Sequence, residues 1–346
     1  MRNIFQTQAL RPVSFQILVA VFLIGSIPSM AIPQATPADA DGKFSIVIIP
    51  DTQQEMFERI PAQHGAVPIT RFRNRIQWIV DNKEKFDMRF VLHTGDLVNW
   101  EDDDEQSQYK VADDGLKPLD GVLPYAIALG NHDTHAVGPR GGSARDTAHT
   151  REYVRKTTVF NSFFPTKRFP GAVFYEPNKV DNAYQTFEAC GAKWMVFNLE
   201  LWPRKSAIDW ADEMIAKHPD HNVIIGTHMY LNGNGAIATN SDYGERSPQY
   251  LFENLIKKHP NIKMVFSGHT GRINDRTDTG EHGNKIVSFL GCIHDGETNP
   301  VQIMEIDMNA GTLYRRFFAP FTDYATGAEW ERDRKTITGL EFIKPR

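Results

Sequence analysis

The chain of 346 residues contains only two cysteines, Cys190 and Cys292. So small a number excludes a disulfide framework and a cysteine zinc cluster, and the fold must be held by its core. A single Cys190–Cys292 bridge and two buried free thiols both fit the sequence. Positive charge is not in excess either: Lys and Arg number 38 against 43 Asp and Glu, a net charge of −5. Nothing basic enough for a nucleic-acid footprint is present. There is no internal repeat and no low-complexity run.

Long apolar runs are scarce as well. The stretch Ile17 to Ile24 is too short for a stable membrane span. Arg2 and Arg11 precede it, and Gly25, Pro28 and Ser29-Met30-Ala31 follow. That order reads as a secretory signal peptide over 1–31, then a flexible leader over 32–42. It predicts an exported protein, periplasmic or extracellular, with no membrane span after cleavage. Residues 43–346 read as one domain.

What the sequence does contain is a series of polar clusters, each directly after an apolar, β-branched run. They are Pro50-Asp51-Thr52-Gln53, Gly95-Asp96, Gly130-Asn131-His132-Asp133, Thr227-His228 and Gly268-His269. Asp, Asn and His offer the oxygen and nitrogen donors that divalent metals select, and α/β folds gather their sites at strand ends. A glycine before a ligand removes a Cβ that would crowd the turn. The runs themselves (44–49, 90–92, 125–129, 223–225, 263–266) are short and apolar, as strands buried on both faces are. Helical spacing marks Arg71 to Lys85, Ala207 to Lys217 and Pro248 to Lys258, the last capped by Ser247. Lys285 to Leu290, Val301 to Ile306 and Thr312 to Phe318 read as strands of a meander. His93, within its strand, reads as a packed or hydrogen-bonded histidine. The acidic run Trp100 to Glu105 reads as a solvated helix start. Residues 134–182, rich in Gly, Arg and aromatics, read as inserted loops that form either a substrate wall or a flap.

In order and spacing the clusters resemble those of the calcineurin-like metallophosphoesterases, over about Phe44 to Phe321. The resemblance implies an α/β (α+β) fold, a four-layer sandwich of two packed mixed β-sheets flanked by helices. It makes Asp96 a bridging metal ligand and Asn131, His228 and His269 the other ligands of a complete site. A second site is depleted: Asp51 is present, but Gln53 replaces a histidine of the family's DxH motif, and Gly271 replaces the last histidine of GHxH. Gln53 serves either as an oxygen ligand or as a hydrogen-bond partner of one. His294, in Gly291-Cys292-Ile293-His294-Asp295, is the candidate substitute.

The implied chemistry is attack on phosphorus by a metal-bound hydroxide, with one or two divalent ions (Mn, Fe, Zn or Mg) and the second held more weakly. His132 then protonates the leaving group, Asp133 orients His132 or keeps it protonated, and Arg272 pairs with a substrate phosphate or makes a surface salt bridge. The partner is a small or macromolecular phosphoester, cleaved as a monoester or a diester. The alternative is a catalytically impaired metal- or ligand-binding protein on the same fold. The sequence does not specify oligomeric state.

Overall fold

The computed structural model describes residues 39, 41–56, 70–101, 106–142, 144–271, 273–293, 300–320 and 328–344. In chain order the elements are β1 (Lys43–Ile49), α1 (Arg71–Asp81), β2 (Met88–His93), α2 (Ser107–Leu116), β3 (Tyr125–Ile127), α3 (Thr150–Tyr153), α4 (Thr158–Phe163), β4 (Val173–Phe174), β5 (Ala183–Ala189) and β6 (Ala192–Leu199). They continue with α5 (Lys205–Ala216), β7 (His221–Thr227), α6 (Pro248–Asn254), β8 (Ile262–Ser267), β9 (Ile273–Thr279), β10 (Lys285–Gly291), β11 (Val301–Asp307), β12 (Thr312–Ala319) and β13 (Ala328–Ile337).

The strands form two mixed sheets, ordered β13-β12-β11-β1-β2-β3 and β4-β5-β6-β7-β8-β10-β9. Alternation along β1 shows why they stack. Phe44, Ile46 and Ile48 face the second sheet, where they pack with Trp194, Ile224, Met264 and Phe289. Val47 and Ile49 point the other way and share a cluster with Phe72, Ile76 and Ile79 of α1 and Tyr109 of α2. Both faces are thus apolar, which is why the run carries no polar alternation. On the far side of the second sheet, Ile208 and Ile215 of α5 and Leu251 of α6 cover Val223, Ile225 and Val265. The four layers are therefore as the resemblance implied.

Several local expectations also match. Ser247 caps α6 by accepting the Tyr250 N–H at 3.2 Å. The predicted helix from Arg71 ends at Asp81, and the chain continues as turns toward β2. The meander needs correction. β10 pairs with β8 and β9 in the second sheet, whereas β11 and β12 lie beside β1 in the first. Apolar content marks each of these as a strand, but only the long-range pairing decides the sheet.

Cys190 and Cys292 are both free thiols. Cys190 (φ 51°) and Gly191 (φ 70°) make the two-residue turn between β5 and β6, a conformation typical of tight hairpins. Residues 35–346 form one compact unit. The signal-peptide and leader expectations fall on 1–34 and the residues just after, almost all outside the described residues. Among the described residues no helix is long and apolar enough to cross a membrane.

Candidate active site

The carboxyl ends of β1, β2 and β3 in one sheet and of β7 and β8 in the other carry the five polar clusters. Ligand atoms of Asp96, His228 and His269 lie within 4.8 Å of one another. Close approach of the loops depends on glycine. A Cβ on Gly130 would fall 2.0 Å from Asp96 Oδ1, and one on Gly268 would fall 2.0 Å from Asp51 Oδ1. Asp96 (φ 52°) and His269 (φ 68°) themselves adopt left-handed backbone. Such conformations cost energy in residues with a Cβ and gather at functional sites.

The histidine tautomers follow from hydrogen bonds. His228 Nδ1 lies 2.8 Å from the Thr94 carbonyl, which can only accept, so Nδ1 carries the proton. Its Nε2 then faces Asp96 Oδ2 at 3.1 Å, an ion pair when the ring is protonated and two opposed acceptors when it is neutral. Opposed acceptors invite a cation between them, a proton or a metal. Two further buried acceptors, Asn131 Oδ1 and Gln53 Oε1, have no hydrogen-bond partner among the described residues. Gln53 Nε2 donates to Asp96 Oδ2 at 3.3 Å, so the Gln53 amide adjoins the Asp96 carboxylate. Buried polar atoms are rarely left unpaired, and this donor set suits a divalent metal.

The charges agree with that fit. Burial works against the Asp96 carboxylate, yet His228, His132 and His269 hold it well below the usual carboxylate range. Burial likewise opposes charge on His228, but the neighbouring Asp96 pushes it up to about 9. The pair draws positive charge to itself. Asp51 is fully buried, and its Oδ2 accepts the His269 N–H at 3.0 Å and the Cys292 thiol at 3.2 Å. Gly271 is exposed, and a Cβ built on it would meet nothing within 4 Å.

His132 Nδ1 lies 2.5 Å from the Asn99 carbonyl. The proton is therefore on Nδ1, and Nε2 points into the site, 3.9 Å from Asp96 Oδ2. Asp133 is placed differently from expectation. Its Oδ1 accepts the Val98 N–H at 3.1 Å and its Oδ2 the Gly130 N–H at 2.9 Å. It clamps the loops that carry Asp96 and Asn131 together, and the imidazole of His132 is oriented by Asn99 instead. Burial, then the Asp96 charge, push Asp133 up to about 7. Arg272 and His294 lie outside the described residues.

Sequence reasoning missed Asn99 and Thr94, which act through backbone carbonyls. It also missed Trp202, whose ring meets His269 edge-on at 5.3 Å and stacks on Tyr243 at 5.8 Å. Glu200-Leu201-Trp202 follows the apolar strand β6, the same pattern that marked the other clusters.

His93 is buried and works as a structural tie. Its Nδ1 accepts the Gly95 N–H at 3.1 Å, so Nε2–H donates to Thr52 Oγ1 at 2.9 Å and joins the first two loops. Burial, then the Arg75 guanidinium, push it down from 6.5 to about 3. The unfolded chain takes up this proton near pH 6.5 and the folded chain only near 3. Stability should therefore fall as pH drops through that window, by at most about 1.4 kcal/mol per pH unit. His93→Gln can keep both hydrogen bonds and should flatten this part of the pH slope in denaturant titrations between pH 7 and 4. An unchanged slope would contradict a neutral imidazole.

Comparison with known proteins bears on the fold and the family. A curated relative, the uncharacterized protein YvnB of Bacillus subtilis (strain 168), is 30% identical over 210 residues, 60% of this chain. The match covers only 14% of that relative's length. Among solved structures, the purple acid phosphatase PPD1 from yellow lupin (Lupinus luteus) seeds superimposes with a TM-score of 0.52 at 14% identity. That likeness covers 88% of this chain and 55% of the lupin chain. A dimetal phosphatase from Danio rerio gives a TM-score of 0.48 at 11% identity, with 85% and 98% covered. The family model for the calcineurin-like phosphoesterase matches residues 44–272, a span that holds every cluster described above. The chain belongs to the calcineurin-like phosphoesterase family.

Proposed function

We propose that this protein hydrolyses a phosphoester, with Asp96, Asn131, His228 and His269 holding a divalent metal and His132 protonating the leaving group. The observation that supports this reading is the cluster of Asp96, His228 and His269, whose ligand atoms lie within 4.8 Å of one another, together with the buried Asn131 Oδ1, which has no hydrogen-bond partner among the described residues. A divalent cation there would lower the pKa of a water and neutralise charge on the phosphoryl oxygens. Everything else in the reaction falls to the protein's own groups. Asp96 and Asn131 fix where the phosphoryl group sits. His132, with Nδ1–H held by Asn99, gives and takes its proton at Nε2.

Asp51 and Gln53 would hold a second ion more weakly. Gln53 offers one neutral oxygen, and position 271 offers no side chain. Mn, Fe, Zn and Mg all suit ligands of this kind to differing degrees. Export through the N-terminal signal peptide belongs to the same proposal, as does the choice between a monoester and a diester. The open side at Gly271 favours a second reading, a metal-binding protein that kept the fold without turnover. Hydrolysis of p-nitrophenyl phosphate and bis(p-nitrophenyl) phosphate with added Mn separates the two. Wild type should turn over at least one and lose the activity to a chelator. No turnover above an Asp96→Ala control, across metals and pH, would leave only the binding reading.

A further inference from the structure

A cleft of about 720 Å³ is lined in part by Trp100, Glu101, His135, Arg140 and Arg145, chain neighbours of Asn99 and His132. Its wall is joined to the residue that orients the acid. Gly141, at φ 65°, sits against the Asn99 side chain so closely that a Cβ there would lie 2.2 Å from Asn99 Oδ1. Glycine alone meets both demands without strain. The adjoining Arg140 is itself left-handed at φ 69°. The turn that carries Arg140 thus leans on Asn99, whose carbonyl accepts the hydrogen bond from His132 Nδ1–H.

The charges lining the cleft are not all matched. The Glu101 carboxylate meets His135 Nδ1 at 3.1 Å and lies in the field of Arg145. Arg145 donates from Nε to the His135 carbonyl at 3.1 Å and from Nη2 to the Val137 carbonyl at 3.3 Å. These bonds fix its guanidinium in place. Arg140 is exposed, and among the described residues its side chain has no ion pair or hydrogen bond. One uncompensated cation therefore stands in the cleft wall, on the turn packed against Asn99.

We propose that this cleft is a leaving-group subsite, in which Arg140 selects phosphoesters whose leaving alcohol carries a second anionic group, a carboxylate or a phosphate. The inference rests on the phosphoesterase reading, which makes His132 the group beside the leaving oxygen. A guanidinium fork matches either anion, and at an exposed position the pair gives about fivefold in affinity.

Calorimetry on the full chain loaded with Mn tests it, using benzenephosphonate and 4-carboxybenzenephosphonate as non-hydrolysable probes. The carboxylated probe should bind wild type about fivefold more tightly than its parent. Arg140→Gln should bind the two equally, and Arg140→Lys should recover part of the preference. Turnover of phenyl phosphate and 4-carboxyphenyl phosphate should show the same ratio in kcat/KM. Equal binding of the probes by wild type, failure of both to bind, or a preference that survives Arg140→Gln overturns the subsite. A preference in binding with no turnover of either ester supports the subsite and sinks the phosphoesterase reading alone.

Discussion

Asp96→Asn is expected to lower kcat/KM by about a thousandfold or more, a loss of roughly 4 kcal/mol of transition-state stabilisation. The exchange is nearly isosteric, so the cause lies in charge. The amide oxygen of the new side chain can still accept the His132 N–H that Asp96 Oδ1 accepts at 3.1 Å. Its amide nitrogen would replace Oδ2, which now faces His228 Nε2 at 3.1 Å. That nitrogen also faces the Gln53 N–H that Asp96 Oδ2 now accepts at 3.3 Å, and the charge that favours a protonated His228 is lost. The metal-free variant should therefore fold with some loss of stability, while its affinity for a cation falls. Thermal unfolding reads both effects. Saturating Mn should raise the wild-type Tm by on the order of 5 °C, and the variant hardly at all. A variant that keeps the Mn shift, or activity within tenfold, would contradict the role given to Asp96.

His132→Ala is expected to have the next largest effect, and one that depends on the substrate. General acid catalysis contributes about 10² to 10⁴ in rate. An alkyl phosphoester, whose alkoxide leaves poorly, should lose that full factor in kcat. A p-nitrophenyl ester, whose leaving group needs little protonation, should lose much less. Metal content should not change, because the imidazole is held by the Asn99 carbonyl at 2.5 Å and is not among the clustered ligands. Equal losses for both esters would show that His132 only shapes the site. Loss of bound metal would make it a ligand.

The features legible in the sequence were those carried by side chains at fixed places in the fold. Strands buried on both faces stand out as apolar runs, and the residues at their ends must be polar for a reason other than packing. The clusters that hold Asp51, Gln53, Asp96, Asn131, His228 and His269 could be picked out on that ground, and the family resemblance singled out these residues within them. The structure gathers them at one edge of the two sheets, with Asn131 Oδ1 and Gln53 Oε1 buried and unpaired. Groups that act through backbone atoms left no mark. Any residue at 99 or 94 presents a carbonyl, so the orienting roles of Asn99 and Thr94 depend on geometry alone.

Asp133 shows the opposite error. Its place beside His132 in the chain suggested a partnership, but neighbours in a tight turn point different ways. Its carboxylate reaches back to the Gly130 and Val98 N–H groups. The sheet assignment of β10 failed for a related reason. A run such as Lys285 to Gly291 fits either sheet by composition, and its pairing with β8 and β9 is a long-range choice.

The central claim is that one metal site is complete and the other poor. Metal analysis of purified protein, by mass spectrometry after gel filtration, tests it most directly when wild type, Asn131→Ala and Gln53→Ala are compared. The expected result is one tightly held equivalent in wild type, lost in Asn131→Ala and only weakened in Gln53→Ala. Equal loss in both variants, or two equally tight ions in wild type, would contradict it.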